Sequence, residues 1–373
     1  MDILITNPVC FQDVYGGSAR GVDEISKYLS LHGHRVVLLV QNRKNREKIH
    51  YISDNFLIYR YPYSSSTRHL IKNMFSAHMA SRWLWKKYKF DIVWGNAPEP
   101  WLFIKKNNSR RIYTMHGPWL LESELDQRIN KLKYVLISIA YRFLFNKKTL
   151  LHFQSDYIYS ICSSEYRRIK KNKHIIAPVL INDKSIRFVY DSKYESLIDS
   201  NKTNLLLARR LVRRTGVVEF LKTISNFPDD IRKELNIIIV GTGYLSEEIS
   251  VLVEEMNYSV HYLGHTCQKD LDFLYMAVDY CVMPSINAEG FGVSILESLL
   301  RNTPVIYTDS GGMGDFLRNI IPEYGYNYSD DNKLLEILST AIKSKRSMSK
   351  DIRNDQYKIN YSFIKGLDSI LNA

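Results

Sequence analysis

No stretch of this chain is long and apolar enough to cross a bilayer. The longest apolar runs, such as YVLISIAY at 134–141, fall well short of the roughly 20 residues that a spanning helix needs. The N-terminal MDILITNPVC has no basic segment followed by an apolar core, so no secretory signal is expected. Cysteine is scarce: Cys10, Cys162, Cys267 and Cys281 are scattered, with no CxxC and no paired spacing. That argues against a disulfide framework and a structural zinc, and makes a reducing cytosol the simplest setting. The G-x-G-x-x-G pattern is missing, so no nicotinamide cofactor is inferred. There is no HExxH, no His/Cys cluster and no convincing DxD-type pair, so no metal site is expected. Solenoid repeats and low-complexity tracts are absent as well.

What is present is a globular composition with a lopsided charge. Apolar residues make up 45% of the 373, enough to bury sizeable cores. The net charge of +12 divides into +16 over residues 1–185 and −4 over the remainder. Such asymmetry suggests that the first half meets an anionic partner, with nucleic acid and anionic membrane as the obvious candidates.

Strand-like and helical stretches alternate through both halves. DILIT (2–6), HRVVLLV (34–40), FDIVWG (90–95), RIYTMHG (111–117) and LLHFQS (150–155) read as strands. VYGGSARG (14–21) is a glycine-rich turn, and 22–33 is helical in pattern. The pattern lapses over 178–203 and restarts with NLLLARR (204–210), LNIIIVGTG (235–243), VHYLG (260–264), YCVMPS (280–285) and TPVIYTD (303–309). Alternation of this kind implies parallel βαβ units. The expected fold is α/β, with two domains at 1–185 and 186–354 and a closing helix over 355–373 that packs back on the first. Ligands of such folds bind at the strands' C-terminal ends, here across the cleft expected between the domains.

The stretch AEGFGVSILESLL (288–300) carries the densest signal. Val293, Leu296 and Leu300 mark an apolar helix face, and Glu297 falls on it. A carboxylate there must be hydrogen-bonded, either at the rim of a rotated helix or to a ligand's hydroxyls. Gly290 and Gly292 let backbone approach a ligand, and a helix start offers N–H groups to an anion. Glu289 beside such a group would face neutral hydroxyls or developing positive charge. Arg210 and Arg214 follow an apolar strand, where cations can face a ligand as well as solvent. Gly16 and Gly17 form a turn after the first strand, and His116 ends another. The glycines of VGTG (240–243) are compatible with a purely local turn role, and Asp315 with a charge that complements a helix dipole.

PSINAEGFGVSILESLLRNTPVIYTDSGG resembles the E-x7-E signature of retaining glycosyltransferase family 4, which has the GT-B fold: two Rossmann-like domains facing each other across a cleft. YGGSARGVDEISKYLSLHGHRVVLL, IYTMHGPW, LLLARRLVRRTGVVEFLK, IIIVGTGY and HYLGHT are similar to further family segments in the same order, over about residues 1–340. Asn302 stands where the family usually has glycine, and Thr215 where many members have lysine. The resemblance implies transfer of a sugar, of the hexosyltransferase type, from a nucleotide-diphosphate sugar to an acceptor hydroxyl, without a cofactor or metal. Glu297 would bind the ribose, and Gly290, Phe291, Gly292, Val293 and Glu289 would hold the sugar. Arg210, with Arg214 in place of the lysine at position 215, would neutralise the diphosphate. Gly16 and Gly17 would approach from the first domain, with His116 on the transferring sugar.

The first domain would receive the acceptor, a saccharide or a lipid-linked saccharide in polysaccharide or glycolipid assembly. Residues 68–90 interleave cations with Trp83 and Trp85, as an interfacial anchor does. The stripe from Leu132 to Leu144 reads instead as a core helix with a basic edge. A cytoplasmic protein in peripheral contact with the inner membrane face is the resulting expectation. No nucleic-acid recognition motif supports that partner. Another reaction on the same architecture, a phosphorylase or nucleotide-sugar epimerase, and a non-catalytic basic binding module stay open alongside it.

Overall fold

The computed structural model describes residues 1–14, 16–64, 70–96, 108–116, 148–178, 189–286, 290, 292–344, 366–368 and 370–371. These divide into two compact units, one holding the residues up to 178 together with 366–371, the other those from 189 to 344. Glu289, Phe291, the stripe from Leu132 to Leu144 and most of the expected closing helix lie outside the described residues.

The first unit is an eight-stranded sheet in the order β3-β4-β2-β1-β5-β6-β7-β8. Its strands are β1 (Asp2–Thr6), β2 (Arg35–Asn42), β3 (Ile49–Ser53), β4 (Phe56–Pro62), β5 (Ile92–Gly95), β6 (Arg110–Met115), β7 (Thr149–Phe153) and β8 (His174–Ile176). All pairings are parallel except β3 with β4. Parallel strands need both faces covered, and the continuous apolar runs of β1 and β2 supply two buried faces. Ile3, Ile5, Val36 and Leu38 pack with Val22, Ile25 and Leu29 of α1 (Gly17–Leu31) and with Leu367, Ile370 and Leu371. Leu4, Val37 and Leu39 turn the other way. They meet Ala77, Ala80 and Leu84 of α2 (Leu70–Lys87) and Ile158 and Cys162 of α3 (Asp156–Glu165). The Arg110 guanidinium donates to the carbonyls of Ile370 and Leu371, tying the C-terminal residues to β6.

β4 was not expected, because Arg60 interrupts its apolar run FLIYRYP. The guanidinium is buried and makes a two-pronged pair with Asp13 in the loop after β1, Nε to Oδ2 at 2.8 Å and Nη2 to Oδ1 at 3.2 Å. Arg46 adds a contact to Oδ1 at 3.1 Å. Together these hold the Asp13 carboxyl below its usual range despite its burial. The pair anchors the loop that leads to Gly16 and Gly17 onto the sheet.

The second unit is a six-stranded, wholly parallel sheet in the order β11-β10-β9-β12-β13-β14. Its strands are β9 (Thr203–Ala208), β10 (Leu235–Val240), β11 (Ser259–Tyr262), β12 (Tyr280–Met283), β13 (Val305–Thr308) and β14 (Gly325–Tyr326). Its helices are α4 (Val217–Ser225), α5 (Asp229–Lys233), α6 (Ser246–Glu255), α7 (Gln268–Ala277), α8 (Val293–Leu299), α9 (Gly311–Leu317) and α10 (Asp331–Ser344). Val217, Phe220, Leu221 and Ile224 of α4 recur at helical spacing and bury against Leu205, Leu207, Ile237 and Ile239. Leu334, Ile337, Leu338 and Ala341 of α10 join the same cluster. α7 and α8 cover the opposite face. No helix among the described residues is long and apolar enough to cross a membrane, and none of the four cysteines forms a disulfide.

Removing one partner of the Asp13–Arg60 pair strands a buried charge. Asp13→Asn is expected to lower unfolding free energy in urea by about 3 kcal/mol or more, whereas Asp13→Leu combined with Arg60→Met costs less than either single change.

Candidate active site

In each sheet the strand order reverses beside the first strand of the unit, and chains leaving two neighbouring strands in opposite directions open a crevice at their C-terminal ends. In the second unit the reversal lies between β9 and β12. The loop after β9 is fixed from both sides. Its Arg209 and Leu211 amides donate to Val240 O at 2.9 Å, at the end of β10, and to Thr242 O at 3.1 Å, in the loop that follows. Gly241, at φ +135°, allows this approach, since a Cβ there would stand 1.8 Å from Arg209 O.

Toward β12 the approach is equally close. Gly216 adopts φ +69° as the N-cap of α4, and a Cβ on it would lie 1.8 Å from Pro284 O. Ile286 N donates to Arg214 O at 3.0 Å. Only glycine meets both demands at Gly216. Thr215, where the resembled family commonly carries lysine, is buried, with its hydroxyl 2.6 Å from Val212 O and 2.8 Å from Arg210 O. It shapes the turn and offers no charge. The cations at this edge are Arg210, exposed, Arg213, exposed, Arg214, half-buried, and the buried Arg209, which reaches Met283 Sδ at 3.2 Å.

The loop after β12 leads through Gly290 to Gly292, which takes φ 75° as the N-cap of α8. Val293 and Leu300 are half-buried, while Ile295, Leu296, Glu297, Ser298 and Leu299 are buried. The apolar face is therefore broader than the stripe of Val293, Leu296 and Leu300, because α8 packs on α7 as well as on β12 and β13. Glu297 is 8% exposed and accepts a hydrogen bond from the Tyr275 hydroxyl at 3.1 Å. Burial, and the carboxylate beside it, hold Tyr275 well above the ordinary tyrosine pKa, so it is a permanent donor. One turn on, Arg301 donates to Glu297 O at 2.7 Å and pairs with Asp272 of α7 at 2.5 Å, its guanidinium stacked over the Tyr275 ring. Gln268 completes the set on Asp272 at 2.7 Å. None of Tyr275, Asp272 and Arg301 stands out in the sequence, since each occupies an ordinary helical position.

In the first unit the reversal lies between β1 and β5. Gly16 and Gly17 are exposed at the start of α1, after the loop that Asp13 anchors. His116 ends β6. Its Nδ1 accepts from the Gln154 amide at 2.9 Å, so Nε2 carries the proton and donates to Asn96 Oδ1 at 3.2 Å. Asn96 and Gln154 directly follow β5 and β7, a shared position beyond the strand ends that nothing local in the sequence marks. Two residues back along the strands, a second row runs from Trp94 Nε1 to Thr114 Oγ1 at 2.7 Å, then to His152 Nδ1 at 3.1 Å. His152 Nε2 donates to Ala177 O at 2.9 Å. Burial pushes both imidazoles down to about 4. His116 is thus a neutral hydrogen-bonding group at pH 7, not a cation.

The second unit therefore brings Arg210, Arg214, Gly290, Gly292, Val293 and Glu297 to the β9–β12 edge and the helix after it. The first unit holds Gly16, Gly17 and His116 at the C-terminal edge of its own sheet. Among the described residues no group of three or more His, Cys, Asp or Glu is placed to hold a metal ion.

Two family models match, Glycosyltransferase Family 4 over residues 15–179 and Glycosyl transferases group 1 over residues 191–358. An uncharacterised glycosyltransferase of Methanocaldococcus jannaschii is 24% identical over 365 residues, which span 91% of this chain and 88% of that protein. Sucrose-phosphate synthase from Thermosynechococcus elongatus has the same fold at a TM-score of 0.79 and 18% identity, over 97% of this chain and 94% of that one. Anabaena HepE in complex with UDP-glucose aligns at a TM-score of 0.71 and 16% identity, over the whole of both chains. The chain is a glycosyltransferase of the GT-B type. It is family 4-like, with one glycosyltransferase family model on each half.

Since the folded imidazoles of His116 and His152 resist protonation, the unfolded chain takes up protons first as pH falls below 6.5. Their contribution to stability is complete above 6.5 and is lost progressively down to about pH 4. Urea midpoints measured across that window are expected to fall with pH, and His152→Gln to give a shallower slope.

Proposed function

We propose that the chain moves a hexose from a nucleotide-diphosphate sugar to an acceptor hydroxyl, with retention at the anomeric carbon and without a metal or other cofactor. The bond from the anomeric carbon to the diphosphate oxygen breaks, and a bond from that carbon to the acceptor oxygen forms. The acceptor's proton passes to the departing diphosphate. Charge accumulates on the diphosphate as it leaves, and positive charge on the sugar, so the chemistry needs fixed cations on one side and oxygen acceptors on the other.

The observation that carries this reading is the β9–β12 edge, where Arg210 stands exposed at the end of one strand and Glu297 is held buried on the helix after the other. In the proposed arrangement Arg210 and Arg214 neutralise the diphosphate, since a planar guanidinium can give two parallel hydrogen bonds to phosphate oxygens. Glu297, held in place by the Tyr275 hydroxyl, binds the ribose hydroxyls through its carboxylate. Gly290, Gly292 and Val293 hold the sugar together with Glu289 and Phe291, whose roles are carried over from the resemblance alone. His116 meets the transferring sugar as a neutral imidazole whose Nε2–H turns from Asn96 Oδ1 to a sugar oxygen, and Gly16 and Gly17 approach from the acceptor side. UDP-glucose in the Anabaena relative supports a nucleotide-sugar donor. The acceptor is a saccharide or lipid-linked saccharide in polysaccharide or glycolipid assembly, met on the cytoplasmic side by the basic first half. No nucleic acid takes part.

Initial-rate kinetics separate these roles. Glu289→Ala is expected to lower kcat by about 10²–10³-fold while leaving the unfolding transition unchanged. Glu297→Ala is expected to raise the donor KM with kcat nearly preserved. Near-normal turnover in Glu289→Ala overturns the assignment, and donor consumption without any acceptor points to an epimerase.

A further inference from the structure

The outer face of α2 has no place in the proposed reaction. Its inner side is buried, with Ala77, Ala80, Ser81 and Leu84 in or against the core. On the opposite side Phe75, Met79 and Trp83 recur every four residues, so they form one ridge. They are 63%, 47% and 38% exposed. The ridge is about 12 Å long from Phe75 to Trp83 at the helical rise. Tyr51, 61% exposed on the edge strand β3, extends the aromatic surface beside Lys87.

Cations frame this ridge. Lys72, Arg82, Lys86 and Lys87 are exposed on the same helix. Lys48 and Lys87 lie 5.9 and 5.4 Å from the Trp83 ring centroid. Between Asp54 and Asp91 the sequence has seven Lys or Arg and no acidic residue. Among the described residues no carboxylate pairs with Lys72, Arg82, Lys86 or Lys87.

We propose that this face of α2 is a docking surface for an anionic phospholipid bilayer. Large apolar side chains on a convex helical ridge, framed by long cationic side chains, match the boundary between acyl chains and anionic headgroups. Phe75 and Met79 enter the acyl boundary, Trp83 and Tyr51 sit at the headgroups, and the lysines and Arg82 meet the phosphates. A second copy of the chain is a poor occupant, because a symmetric contact would set this cationic frame against itself. The helix is too short and too charged to span, so it lies on the surface. The inference deepens the proposed function, since a lipid-linked acceptor is reached at a membrane. Vesicle binding needs neither donor nor turnover, so either reading can fail while the other stands.

The test is flotation of the full-length protein with vesicles of phosphatidylcholine alone or mixed with phosphatidylglycerol. Binding is expected only to the mixed vesicles and is expected to weaken as salt rises. Phe75→Ser with Met79→Ser, and separately Lys72→Glu with Lys86→Glu, are each expected to weaken it at least about tenfold with the thermal midpoint unchanged. Quenching of tryptophan emission by brominated lipid is expected to fall in Trp83→Phe. No binding to the mixed vesicles overturns the proposal. So does equal binding to neutral ones, full binding by both double variants, or self-association that the Phe75/Met79 variant abolishes.

Discussion

The second unit turns on one backbone contact, the approach of the loop after β9 to the loop after β12. Gly216 stands where any Cβ would collide with Pro284 O, and Ile286 N closes on Arg214 O. These two contacts set the spacing of the strand ends at the point where the sheet order reverses. Arg210 is aimed from one loop, and the glycines before α8 are delivered from the other. Thr215 belongs to the same device: its hydroxyl ties the turn to Arg210 O and Val212 O. A lysine at that position would have to leave the turn to carry its charge to solvent. Here the turn is kept, and the positive charge at the strand end comes from the arginines around it.

Buried polar groups do the corresponding work elsewhere, in pairs and rows. In the second unit the Tyr275 hydroxyl donates to the Glu297 carboxylate on the buried side of α8, while Arg301, paired with Asp272, holds the main-chain carbonyl of the same residue. In the first, the rows Asn96–His116–Gln154 and Trp94–Thr114–His152 lace the ends of β5, β6 and β7 together. The lower row fixes the strands beneath the upper one, and the upper row fixes the tautomer of His116. Asp13 and Arg60 extend the principle to the loop that carries Gly16 and Gly17. Loops that must present groups to a ligand are thus tied down by hydrogen bonds and charge pairs, while the apolar clusters hold the sheets.

Much of this was legible in the sequence, and the gaps have physical causes. Continuous apolar runs gave β1, β2, β5, β6, β7 and all but the last strand of the second sheet, because strands buried on both faces need no polar alternation. β4 escaped because a charge inside a strand reads as an interruption unless its partner, 47 residues away, is known. β3 escaped because an exposed edge strand carries no long apolar run. Glu297 was recognised as out of place on an apolar face, but its partner Tyr275 is 22 residues upstream and left no local mark. The equivalence of Asn96, His116 and Gln154 could have been found by laying the strand ends side by side. The exposure of Phe75 and Met79 could not, since an apolar residue on a helix reads as core until the helix is oriented on its sheet.

The central claim is that the β9–β12 edge binds a nucleotide diphosphate sugar through Arg210 and Glu297. The most direct measurement is titration calorimetry of the purified protein with UDP, GDP, ADP and dTDP sugars and with CMP sugars, with and without magnesium. The account predicts saturable binding of one diphosphate-sugar donor, unaffected by magnesium and weakened about tenfold or more in both Arg210→Ala and Glu297→Ala. Binding that requires magnesium, or that is undiminished in both variants, would contradict it.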